Sequence, residues 1–233
     1  MKKKLLKTSL LTYSMLSVCS LANASVISID DIDATWTNVS GSSSVSGVGT
    51  NEIRWGTPLD DEQSGYRFDT ASTDSFLVEL NEEFSLGEFT HYNFPIYASG
   101  GSIDWAELNV STNISIDGVN RNEGPFSFSF FHDETPNACS PQPECANDLV
   151  NFGNSSASDT FLVDDVEYTM ALTGFVQNGV FTNNFSTLEK NINVADLRAV
   201  FTQAEVASVP EPSAMALIGL GLLGLVGFGK SKQ

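Results

Sequence analysis

The side chains that could carry chemistry in this chain are few on the basic side and abundant on the acidic side. There are two histidines, His91 and His132, three cysteines, and 29 aspartates and glutamates against 11 lysines and arginines. A serine hydrolase needs a nucleophile, an imidazole base and a carboxylate to orient it, often presented on a Gly-x-Ser-x-Gly turn. That turn does not occur, the His-Glu-x-x-His pattern of zinc proteases is absent, and only two imidazoles could serve as bases. Carboxylate pairs at glycosidase spacing would arise in any fold with so many acids, so they do not single out a glycosidase. His91, between Thr90 and Tyr92 after a strand, reads as a structural side chain rather than a base. The expectation is a chain with no catalytic residues and no catalytic activity of its own.

Carboxylates that do not catalyse can still bind a cation, because calcium takes six to eight oxygen ligands from loops. Asn113, Ser115, Asp117 and Gly118 imitate the start of an EF-hand loop, but Gly124 occupies the place of the bidentate glutamate and the match fails. Asp30, Asp31 and Asp33 form a second acidic group, and Asp60, Asp61 and Glu62 a third. A fourth comprises Asp133, Glu134, Asn137 and Asp148, which loops at one end of a β-sandwich could gather around one calcium ion. The alternative for each group is a solvated loop. The expected cofactor is none, with calcium as the other reading.

Two cysteines, Cys139 and Cys145, lie in a proline-rich run, Asn137 to Asn147. In an oxidising compartment they form a short disulfide loop worth about 2 kcal/mol, a local staple. A thiolate metal site would need further ligands, and neither histidine has the spacing for one.

The ends of the chain specify where it goes. Lys2, Lys3, Lys4 and Lys7 precede an apolar run from Leu10 to Leu21, and Ala22-Asn23-Ala24 before Ser25 is a small-x-small cleavage site, the pattern of a secretory signal peptide. Cys19 would suggest a lipoprotein, but Val18 stands where the lipid-attachment box needs a small residue. At the other end, Val209-Pro210-Glu211-Pro212 leads into the uncharged run Ala214 to Phe228, followed by Lys230 and Lys232. As a helix that run would be about 22 Å long against a hydrocarbon layer of about 30 Å, which favours temporary residence over a permanent span. Its glycines would weaken a helix in water but are common in membrane helices.

The string from Val209 to Gln233 resembles the tail of PEP-CTERM proteins. The resemblance implies handling by exosortase, a membrane cysteine transpeptidase-like enzyme of Gram-negative bacteria, alongside exopolysaccharide production. It covers about a tenth of the chain, and two lysines stand where many such tails carry a run of arginines. The implied partners are the secretion machinery and exosortase, with transient inner-membrane association and extracellular polysaccharide as a further partner.

Removing residues 1–24 and 209–233 leaves a body of residues 25–208, a suitable size for one domain. Five basic residues then face 28 acidic ones, a net charge of −23. A field of one sign repels nucleic acid and anionic lipid, so a nucleic-acid function is excluded. The body reads as strands: alternation is clear over 52–55, 66–69, 76–80, 103–116, 126–132, 160–163, 167–176 and 194–202. Phe126, Phe128 and Phe130 share one face with Ser127 and Ser129 on the other, and Asp117-Gly118 and Asn178-Gly179 are hairpin dipeptides. Ser40 to Gly49 reads as a flexible surface loop. The expected fold class is all-β, a single β-sandwich (jelly-roll-like) domain flanked by an N-terminal signal helix and a C-terminal hydrophobic sorting helix.

Within the body, Ile53 to Pro58, Ser64 to Asp69, Leu86 to Ile96, Asp133 to Asn137, Asn147 to Val150 and Tyr168 to Phe175 together resemble the choice-of-anchor K domain. That resemblance implies an extracellular β-rich domain found with alternative surface-sorting tails, and it supplies no catalytic residues. The sequence therefore reads as an exported surface or exopolysaccharide-matrix protein. The alternatives are a calcium-dependent carbohydrate-binding or adhesive module, with Trp55, Trp105, Tyr92 or Tyr97 stacking on sugar rings unless they are core, and a secreted hydrolase.

Overall fold

A computed structural model describes residues 26–71, 74–136, 147–153 and 157–204. The strands are β1 (Val26–Ser40), β2 (Val45–Ser46), β3 (Glu52–Trp55), β4 (Ser64–Thr70), β5 (Phe76–Glu79), β6 (Glu83–Asn93) and β7 (Trp105–Ile116). They continue as β8 (Val119–Asp133), β9 (Asp148–Phe152), β10 (Ala157–Val163), β11 (Val166–Gln177), β12 (Val180–Thr182), β13 (Asn184–Thr187) and β14 (Asn191–Gln203). The one helical turn among the described residues is a 3-10 turn at Ala98–Gly100, so the described part is all-β. The expected signal and sorting helices, with Ala22, Ala24, Ser25 and Val209 to Pro212, lie outside the described residues, as do Cys139, Cys145 and Asn137.

Two curled antiparallel sheets face each other. One has the order β13-β9-β8-β7-β1-β5, the other β10-β11-β14-β6-β4-β3-β2, with β12 paired to β11. Period-two alternation builds the interior. On β8, Phe126, Phe128, Phe130 and His132 are buried while Phe131 and Asp133 face out. Trp36 of the first sheet is fully buried, with ring centroids 5.5 Å from Tyr66 and 5.7 Å from Phe89 of the second sheet. Phe130 lies 5.0 Å from Phe89 and 6.3 Å from Phe175. Rings of this size each remove about 150–250 Å² from water, and this aromatic layer is what holds one sheet on the other.

Both hairpin dipeptides turn where expected. Asp117 and Gly118 have φ of 49° and 85° between β7 and β8, and Asn178 and Gly179 have 52° and 77° between β11 and β12. This is the left-handed pair that a primed turn requires.

Two long strands carry bulges that change which parity points inward. On β1 the register against β7 shifts between Asp30 and Asp33, and the buried residues run Ile27 and Ile29 before it, then Ile32, Ala34 and Trp36 after it. On β6 the register against β14 shifts opposite the Leu197–Arg198 step, and burial passes from Phe84 and Leu86 to Phe89, His91 and Asn93. Each bulge lets one strand contribute a continuous inward face despite the change of phase. The stretch expected to be a loop, Ser40 to Gly49, contains the two-residue strand β2 at the sheet edge.

Candidate functional site

One end of the inter-sheet core is polar. There β6 contributes His91 and Asn93 in phase with Phe89, β8 contributes His132 in phase with Phe130, β4 contributes Tyr66 and β3 contributes Trp55. Asp148 opens β9 and Thr187 closes β13, where the two residues pair in register. His91, Asp148, Thr187 and Tyr66 are completely buried, and the His132 side chain is as well. His91, His132 and Asp148 each present a ligand-type atom within 4.8 Å of the others.

The Thr187 hydroxyl lies 3.2 Å from the Asp148 carbonyl and 2.9 Å from His91 Nδ1, and its one proton can serve either acceptor. With Nδ1 engaged by Thr187, the other ring nitrogen of His91, Nε2, is buried with no hydrogen-bond partner among the described residues. Asp148 Oδ1 accepts from the Thr135 backbone N–H at 2.8 Å and from its hydroxyl at 3.1 Å. Asp148 Oδ2 is buried and unpartnered among the described residues, 3.9 Å from His132 Nε2. His132 bridges outward and inward: Nδ1 lies 2.6 Å from the Tyr66 hydroxyl, and Nε2 lies 3.2 Å from Glu134 Oε2, which also accepts from Ser102 Oγ at 3.0 Å.

Burial and like charge set the protonation of the cluster. Removal from water, and then the neighbouring His132, hold the His91 imidazole well below the usual histidine range. Burial first, then the Glu134 carboxylate, pushes Asp148 up to about 6 despite the Thr135 donors. Burial, with Asp148 and Glu134 nearby, pushes Glu189 up to about 7, and both Glu189 carboxylate oxygens are buried without a partner among the described residues. Burial, followed by Asp148 and Glu134, raises Tyr66 well above the ordinary phenol range. The Glu134 and Asp148 carboxyl groups thus approach the His132 imidazole, with Glu189 in their field, and neither Arg nor Lys forms an ion pair with Asp148 or Glu134 among the described residues.

The acidic groups singled out in the sequence are placed differently from one another. Of Asp133, Glu134, Asn137 and Asp148, Glu134 and Asp148 reach this cluster, Asp133 faces outward on β8, and Asn137 lies outside the described residues. Asp30, Asp31 and Asp33 sit around the β1 bulge, where Asp31 accepts from Asn113 Nδ2 at 2.9 Å. Asp60, Asp61 and Glu62 are exposed in a turn, Asp60 lying 3.9 Å from Lys190. Among the aromatics considered for sugar stacking, Trp55 is fully buried and belongs to the core, and Tyr92 is covered by the Arg54 guanidinium 3.5 Å from its ring centroid. Tyr97 is 48% exposed and, with Ile96, Ser102 and Glu134, lines a surface cavity of about 340 Å³.

The cluster of His91, His132 and Asp148 was not assembled by sequence reasoning. The available signal was phase: histidine two residues after a buried phenylalanine, at Phe89-x-His91 and at Phe130-x-His132, continues an inward stripe. Nothing local says that the two stripes meet across the sheets.

Comparison with known proteins bears on the tail. No curated protein matches the chain. Residues 208–231 match the PEP-CTERM protein-sorting motif, which is that of exported proteins sorted by exosortase and held transiently in a membrane through the C-terminal tail.

Proposed function

We propose that the chain is an exported surface protein of a Gram-negative bacterium that becomes part of the exopolysaccharide matrix, without catalytic activity of its own. The observation that carries this reading is the sorting motif at residues 208–231, joined to an all-β body. In this reading the body is a jelly-roll-type sandwich of the choice-of-anchor K type, secreted with its signal segment removed and its Cys139–Cys145 bridge closed. A surplus of carboxylates on the outside keeps such a module soluble and well spaced in a polymer matrix. The burial of both histidines supports a non-catalytic role, because a polymeric substrate does not reach side chains enclosed between the sheets.

The test is fractionation of cells expressing the full chain or its Pro210→Ala/Pro212→Ala variant. The unchanged chain is expected in the extracellular polysaccharide fraction and the variant in the membrane fraction. Equal distribution of the two would contradict the reading.

A second reading, a carbohydrate-binding or adhesive module that uses calcium, is favoured by one observation, the exposed Tyr97 ring at the rim of the cavity that Glu134 lines. A glycan array probed with and without chelator distinguishes it: this reading requires binding that Tyr97→Ala abolishes.

A further inference from the structure

The polar end of the core contains more unsatisfied groups than a hydrogen-bond network explains. His91 Nε2 and Asp148 Oδ2 are buried and unpartnered among the described residues, and both belong to side chains whose other polar atom is already fixed. Leaving a buried acceptor unmade is costly, and placing Asp148 and Glu134 beside each other without a cation adds like-charge repulsion. Moving one positive ion into the space that the three residues share would satisfy both atoms and offset that repulsion.

We propose that His91 Nε2, His132 Nε2 and Asp148 Oδ2, with Glu134 Oε2 as fourth ligand, bind one divalent first-row transition-metal ion of the zinc type. The donor set decides the class of metal. Two imidazole nitrogens with carboxylate oxygens suit zinc and its neighbours, whereas calcium seeks six to eight oxygens. The arrangement around the donors has the form of a metal shell. Thr187 Oγ1, 2.9 Å from His91 Nδ1, engages that side of the ring and leaves the buried Nε2 for a metal. Tyr66, which can accept as well as donate, holds Nδ1 of His132, so Nε2 can present its lone pair to the metal, any proton on it being released to solvent, while the ring keeps its partner. The Thr135 donors fix one oxygen of Asp148 and leave the other for coordination.

Ligand atoms around zinc stand about 3.3 Å apart at bond lengths of about 2.0–2.1 Å, so His91, His132 and Asp148, whose ligand atoms lie within 4.8 Å of one another, draw together by small side-chain rotations, and Glu134 Oε2 reaches the set from 3.2 Å beside His132 Nε2. His91 belongs to one sheet and His132 and Asp148 to the other, so the ion would cross-link the two sheets at the end where aromatic packing gives way to polar groups. The three core ligands are closed off from solvent, the arrangement of a structural site rather than an open catalytic one. The site does not depend on how the chain is sorted.

The experiment uses the full chain in mild detergent, stripped with chelator, dialysed and titrated with zinc sulfate. One zinc is expected to remain per chain, raising Tm by about 5 °C or more, with calcium in large excess failing to displace it. Asp148→Asn and His91→Gln are expected to weaken zinc binding by about 100-fold or more, and the outward-facing Asp133→Asn to leave it unchanged. Should the two ligand variants fail to fold, cobalt in the unchanged chain gives the answer, since four-coordinate nitrogen and oxygen ligation produces intense visible bands and hydrated cobalt does not. Absence of retained zinc, displacement by calcium, undiminished binding by a folded Asp148→Asn chain, or a spectrum of hydrated cobalt would each overturn the proposal.

Discussion

Tyr66 and His132 belong to opposite sheets, yet the Tyr66 hydroxyl and His132 Nδ1 lie 2.6 Å apart in the closed interior. This hydrogen bond, like those from His91 and Asn93 to Thr187, ties the sheets together by a polar contact, whereas further along the core rings do so. It also sets the orientation of the imidazole whose other nitrogen faces Glu134. The first prediction follows from removing it.

Tyr66→Phe keeps the ring in its place against Trp36, Trp55 and Phe89 but strips His132 Nδ1 of its partner. A buried polar atom left unmade costs about 1–3 kcal/mol. Urea unfolding should show that loss as a lower midpoint with an unchanged slope. A midpoint equal to that of the unchanged chain would mean that the contact does not contribute.

Phe130 and Phe131 are chain neighbours on opposite faces of β8. Phe130 is fully buried among Trp36, Phe89, Phe152 and Phe175, whereas Phe131 is 43% exposed. Phe130→Ala is expected to cost about 3–5 kcal/mol, and Phe131→Ala below about 1 kcal/mol. Calorimetry of the two variants checks the strand phase directly, and comparable losses would refute it.

The β7–β8 turn isolates a backbone effect from packing. Gly118 has φ of 85°, and a Cβ there would meet nothing within 4 Å. Gly118→Ala is therefore predicted to cost about 1–2 kcal/mol through left-handed strain alone. Gly118→Asn should recover part of the loss, because asparagine tolerates that conformation.

Glu189 gives the metal-stripped protein a pH signature. Burial, with the Asp148 and Glu134 carboxyls facing it, raises its folded value to about 7, against a lowering influence from Lys190. The folded chain then holds a proton that the unfolded chain has already released, so this group's contribution to stability falls as pH rises from the ordinary glutamate range through about 7. Asp148, raised to about 6, acts in the same direction, and His91, lowered by burial, acts in the opposite direction as pH falls below the ordinary histidine range. Glu189→Gln should flatten the decline and raise Tm at pH 8 relative to the unchanged chain. A steeper decline in the variant would contradict the assignment.

Much of the fold could be read from local pattern, and the exceptions have physical causes. The phenylalanine stripe on β8 and the Asp117-Gly118 and Asn178-Gly179 turns are where period and turn chemistry place them. β1 escaped notice because Asp30, Asp31 and Asp33 break its alternation at the bulge, where the inward phase passes from Ile29 to Ile32. β6 was hidden in the same way by the phase change around Leu86 and Gly87. The site was legible only in fragments. Glu134 and Asp148 were singled out as oxygen donors, but the closeness of His91 to His132 is a property of how two sheets stack, and no spacing along the chain encodes it.

The proposed function makes this all-β body an exported module sorted through its C-terminal tail. Mass spectrometry of both ends of the protein recovered from the outside of its own cells tests it most directly. The account predicts a mature chain beginning at Ser25 and ending at or near Pro210 to Pro212. A surface form that retains Lys232, or a cytosolic protein carrying Lys2 and Lys232 together, would contradict it.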